Sequence, residues 1–132
     1  MEAASLLEAD GISCAVMNAR FVKPLDTQTI LDAVRDGPFV ITVEEGALMG
    51  GFGSVVLEAA SDAGLDTSRI RRLGIPDKFI EHGERSALLA DLGLTGRGIA
   101  EACRQMAERT GDPLLLDRKQ SSQCKVPTSV HN

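Results

Sequence analysis

Two adjacent carboxylates, Glu44 and Glu45, and a loop carrying Gly46, Gly50, Gly51 and Gly53 are the densest set of chemistry-bearing groups in the chain. Backbone N–H groups at a helix start can hold a phosphate, and paired carboxylates can divide acid and base work. The run Gly50-Gly51-Phe52-Gly53 nevertheless departs from G-x-G-x-x-G, and no Lys-Ser/Thr pair follows as a P-loop requires. Phe52 puts an apolar anchor where a phosphate cradle needs open backbone. Close packing of a helix on its strand is the competing and favoured reading of these glycines. On an extended chain Glu44 and Glu45 point to opposite faces, so without a bend they cannot serve one substrate together. One of them is free to cap loop amides while the other faces solvent or a partner.

His82 lies among Asp77, Glu81 and Glu84. A metal site needs converging ligands, and one histidine among carboxylates is a weak start. General-acid work by His82 lacks a nucleophile placed beside it, so a surface or interface position is the favoured reading. Ser86 is read as a helix-side residue and His131 as part of a polar tail. Arg69, Arg71 and Arg72 form a basic cluster at a strand entrance. Anion binding and a surface or subunit contact are both open to them, the second being favoured in an acidic domain.

The elements that would position these groups follow from periodicity. Ala3 to Asp10 reads as the end of a helix, with Gly11 in the stop position. Ile12 to Ala19 is expected to be a strand, and Asp26 to cap a helix whose buried face is Ile30, Leu31 and Val34. Phe39 to Val43 is a nearly continuous apolar run, suited to a strand covered on both faces. Phe52, Val55, Val56, Ala59, Ala60 and Ala63 recur at helical spacing. Ile70 to Ile75 is a strand closed by Pro76, Glu84 to Leu92 a short helix, and Thr95 the cap of a last helix carrying Ile99, Ala102, Cys103, Met106 and Ala107. This alternation predicts an α/β domain over residues 1–110 with a mostly parallel sheet. A domain opening on a helix tail reads as one whose preceding strand is missing. Residues 111–132 read as a disordered polar tail.

Composition removes several function classes. The chain has 132 residues and a formal net charge of -5, which argues against nucleic acid, whose phosphates require a basic face. Aromatic residues make up 3%, without Trp or Tyr, so the core must be aliphatic and stacking platforms are scarce. No apolar run approaches the length of a membrane span, and no secretory pattern opens the chain. Cys14, Cys103 and Cys124 are odd in number and widely spaced, which suits reduced thiols in a cytoplasmic protein.

Taken in order, Arg20-Phe21-Val22-Lys23-Pro24-Leu25-Asp26, then Val40 to Ser54 with its EEG-x-x-x-GGFGS signature, then Gly74-Ile75-Pro76-Asp77-Lys78-Phe79-Ile80-Glu81-His82-Gly83 form one pattern, which Leu92 to Ile99 continues. It resembles the C-terminal domain of the deoxyxylulose-5-phosphate synthase family, thiamine-diphosphate enzymes of the transketolase group. The resemblance spans about residues 3–110. It implies a three-layer α/β fold with helices on both faces of an open, mostly parallel sheet. It also implies a parent that joins pyruvate to glyceraldehyde 3-phosphate with loss of carbon dioxide, on the route to isoprenoids, thiamine and pyridoxal. In that family the N-terminal and middle domains hold thiamine diphosphate and Mg²⁺. No catalytic, cofactor or metal residue therefore carries over, and the chain alone is not expected to turn over substrate. Its implied partners are those two domains, within a homodimer of the full-length protein. Glu44, Glu45, Gly50, Gly51, Gly53, Pro76, Asp77 and His82 then become interface or loop-structuring residues. A free-standing interaction or regulatory module of the same fold, and a small anion-binding domain, are the alternatives.

Overall fold

The structure, a computed structural model, describes residues 1–20 and 23–111. Phe21, Val22, Cys124, His131 and the rest of the expected tail beyond Gly111 lie outside the described residues. The elements run α1 (Glu2–Ala9), α2 (Thr27–Asp36), β1 (Val40–Ala47), α3 (Phe52–Asp62), a 3₁₀ turn (Thr67–Arg69), β2 (Ile70–Ile75), α4 (Arg85–Asp91) and α5 (Gly96–Thr110).

Local chemistry sets most of these boundaries. Asp26 caps α2, its carboxylate accepting from the Thr29 amide at 3.3 Å and the Thr29 hydroxyl at 2.8 Å. Thr95 caps α5 by accepting from the Gly98 amide at 3.2 Å. Such caps satisfy donors that a helix start leaves without partners. Helix α1 passes through Asp10 into Gly11, whose φ of 76° ends it.

Strands β1 and β2 pair in parallel, Val40 opposite Ile70 through Val43 opposite Leu73. Alternation then sorts the layers. Thr42 and Arg72 face α3, which sits on one side of the sheet with α2 packed beside it. Arg71 points the other way, where its guanidinium donates to Gln105 Oε1 of α5 at 2.8 Å. Helix α5 packs on α1, and Arg104 clamps Asp10 with two hydrogen bonds of 2.6 and 2.9 Å. The order of layers is therefore α2 and α3, then sheet, then α1 and α5, an α/β arrangement with helices on both faces. Leu7, Val34, Val56 and Met106 are its most deeply buried large side chains, an aliphatic core as the composition requires.

Two expectations are corrected. Ile12 to Ala19 forms no strand, although its residue types suit one. A strand needs a ladder partner, none pairs with this segment among the described residues, and Val16 is left 60% exposed. Of the apolar run at Phe39 to Val43, Val40 to Val43 form the first half of β1, which continues to Ala47. The continuation carries a register irregularity: Val43 pairs with Leu73 and Ala47 with Ile75, so three β1 residues stand against Gly74 alone. Such a bulge bends its strand, and Gly74 makes room for it. A Cβ there would lie 2.9 Å from Leu48 Cδ2 and 3.0 Å from Glu44 Cγ.

A latch at the end of β1

The bulge aims Glu44 at the start of α3. Its carboxylate accepts from the Phe52 amide at 2.8 Å and from the Gly53 amide at 3.0 Å. A charged acceptor on two amides that would otherwise lack partners is favourable, and the helix dipole adds to it. The side chain thus occupies the place a bound phosphate would take. Gly53 fits only as glycine, since a Cβ would stand 2.7 Å from Thr42 Oγ1 and 2.9 Å from Arg72 Cδ. Gly51 is the N-cap of α3, and Gly50 turns the loop with φ of 69°.

Arg72 closes the other side of the loop. Its Nη1 donates to the Leu48 carbonyl and to Ser54 Oγ, both at 3.0 Å, and Ser54 Oγ itself donates to the same carbonyl at 2.7 Å. Strand β2, the loop and α3 are thereby tied together at one point. The three arginines do not converge. Arg69 donates to the Gly37 carbonyl at 3.1 Å, holding the end of α2, while Arg71 reaches α5. Adjacent strand residues face opposite ways, a signal already present in the sequence at Arg71 and Arg72. The roles of Ser54 and the Leu48 carbonyl carried no such signal.

Glu45 points away from the latch and pairs with Arg85 of α4, both side chains being well exposed. His82 and Asp77 are exposed in the loop after β2, and Pro76 is half-buried at its start. Ser86 donates to Glu84 Oε1 at 3.1 Å. Thr42 is 4% exposed, and its hydroxyl has no hydrogen-bond partner among the described residues. Burial pushes the Cys103 thiol above its usual range, and a nearby Cys14 charge adds to the effect, the opposite of what a nucleophilic cysteine needs. The Asp66 carboxyl is held low chiefly by its hydrogen bonds from Ser68.

This donor set does not fit thiamine diphosphate or Mg²⁺. Among the described residues no three His, Cys, Asp or Glu side chains converge on a metal position. The Glu44 carboxylate at the start of α3 is bound to amides, and Arg72 is bound to a carbonyl and a hydroxyl. No described helix is long and apolar enough to cross a membrane.

The profile of the family described as "Transketolase, C-terminal domain" matches residues 1–99. The chain belongs to that family. This transketolase C-terminal domain is 50% identical over 113 residues to 1-deoxy-D-xylulose-5-phosphate synthase 1 of Geobacter sulfurreducens, covering 86% of this chain and 18% of that protein. It is 49% identical over 107 residues to the synthase of Heliobacterium modesticaldum, covering 81% of this chain and 16% of the relative. Among solved structures it is similar to a chain titled "Split gene transketolase, inactive beta4 tetramer". There the TM-score is 0.69 at 34% identity, over 80% of this domain and 34% of that chain. The domain thus spans less than a fifth of the two synthases it matches.

Proposed function

We propose that this domain is the structural, dimer-supporting C-terminal part of a thiamine-diphosphate-dependent 1-deoxy-D-xylulose-5-phosphate synthase, and that it is inactive by itself. The observation that carries the reading is its similarity to the two synthases, half identical across most of this domain while spanning under a fifth of their length. The latch supports it, since the polar groups grouped around the glycine loop hold the domain's own backbone. In this reading residues 1–110 are the domain, and its partners are the N-terminal and middle domains of a cytoplasmic, homodimeric enzyme. Those domains bind thiamine diphosphate and Mg²⁺ and carry out the condensation of pyruvate with glyceraldehyde 3-phosphate. Met49, 70% exposed after β1, and Phe79, 87% exposed after β2, are apolar anchors for such contacts. Glu45, Asp77 and His82 are polar neighbours at the same strand ends.

An anion-binding role would require a phosphate to displace Glu44 from two amides. Formation of deoxyxylulose phosphate is the test, with the chain run alone and with the first two domains of the Geobacter sulfurreducens synthase added. Activity in the mixture alone is expected. Turnover by the chain alone would refute the reading.

A further inference from the structure

We infer that Cys14 and Cys103 form a paired thiol site for small disulfides such as glutathione disulfide, Cys14 reacting first and Cys103 then closing an internal disulfide. The inference goes beyond the proposed function and does not depend on it. Helices α1 and α5 pack together, and Arg104, next to Cys103, holds Asp10 with hydrogen bonds of 2.6 and 2.9 Å. Beyond Asp10 the chain folds back on α1, where the Ile12 amide donates to the Leu7 carbonyl at 2.8 Å. Cys14 follows two residues later, so the clamp brings both cysteines to one end of the α1 and α5 pair. Cys103 is half-buried and lies one turn from the buried Met106, on the inward side of α5, whereas Cys14 is exposed. The two thiols also feel each other, since charge on Cys14 pushes the Cys103 thiol up.

The difference in exposure sets the order of events. The Cys14 thiolate attacks one sulfur of glutathione disulfide, whose S–S bond breaks as a Cys14–glutathione bond forms and one glutathione thiolate leaves. Capping Cys14 removes a charge that opposed ionisation of Cys103, while Arg104 and Arg71 still favour its thiolate. The Cys103 thiolate then attacks Cys14 Sγ, expels the second glutathione thiolate and forms the Cys14–Cys103 bond. The two protein thiol protons pass through solvent to the two glutathione thiolates, so the protein loses two electrons and the glutathione disulfide gains them. A disulfide needs Cα atoms about 4.4–6.8 Å apart. Residues 13–20 are exposed and have no ladder partner among the described residues, so Cys14 can settle to that span while α5 stays in place. Excess reduced glutathione reverses both steps, which confines the closed form to oxidising conditions.

Oxidation of the full chain with glutathione disulfide, followed by acid quenching, tryptic digestion and mass spectrometry without reductant, tests this. Cleavage places Cys14 in peptide 1–20, Cys103 in peptide 98–104 and Cys124 in peptide 120–125, so every pairing is distinguishable. Peptides 1–20 and 98–104 should appear joined, about ten-fold or more over peptide 1–20 carrying glutathione, because the fold holds the second thiol at high effective concentration. Cys103→Ser and Cys103→Ala should each stop the reaction with glutathione on Cys14. Cys14→Ser should slow modification of Cys103 by about ten-fold or more, as the half-buried thiol then has to meet the small disulfide directly. In urea the preference for the 1–20 and 98–104 pair should disappear in favour of Cys103 with Cys124, the shorter loop. Glutathione accumulating on Cys14 of the unaltered chain without the internal link would overturn the inference. Unchanged modification of Cys103 in Cys14→Ser, a preference that survives urea, or a disulfide joining two copies through Cys14 would do the same.

Discussion

The two sides of β1 present opposite situations within a few ångströms of each other. Toward α3, Glu44 is bonded to two amides and lies beside the Gly53 backbone, with Arg72 bridging a carbonyl and a hydroxyl next to it. On the edge away from β2 the same strand has no ladder partner among the described residues, and Val43 is 41% exposed. The side rich in chemical groups is internally satisfied, and the side without them is the one left unpaired among the described residues. A conspicuous set of carboxylates, arginines and glycines can therefore be a fastening, while the edge without a ladder partner among the described residues is main chain beside a plain valine.

The contrast can be broken from the fastened side, by urea unfolding followed through helix circular dichroism. Gly53→Val should have the largest effect, a loss of about 3 kcal/mol, because its side chain must displace Thr42 and Arg72. Glu44→Ala should cost about 2 kcal/mol by leaving two amides of α3 without an acceptor. Thr42→Val should go the other way and stabilise by about 1 kcal/mol, since it removes a buried hydroxyl without a partner and keeps the shape. A destabilised Thr42→Val would reveal an acceptor for that hydroxyl and sharpen the description of the latch. Glu45→Ala should change stability by less than about 0.5 kcal/mol, as its pair with Arg85 is well exposed. An effect as large as that of Glu44→Ala would erase the distinction between the two carboxylates.

Much of the fold is legible because it is local. The 3.6-residue recurrence from Phe52, the caps at Asp26 and Thr95 and the apolar run at Phe39 to Val43 each involve residues close in sequence. What escapes the sequence depends on distant partners. Ile12 to Ala19 has the composition of a strand, but pairing is a property of two segments and this one lacks the second among the described residues. The bulge at Glu44 to Gly46 depends on a glycine thirty residues away, at Gly74. Arg71 and Arg72 are separable from the sequence itself. The alternation that separates Glu44 from Glu45 also separates Arg71 from Arg72, so a single cluster was excluded from the start. The destination of Arg72 was not, because a carbonyl acceptor such as that of Leu48 leaves no mark in residue type.

The clamp between Asp10 and Arg104 joins positions 94 residues apart, one at the end of the first helix and the other within the last. Leu7 and Met106 are sealed on the same side of the molecule. Helices from the two ends of the described residues are thereby held as one packed pair, so local unfolding of either should release the other.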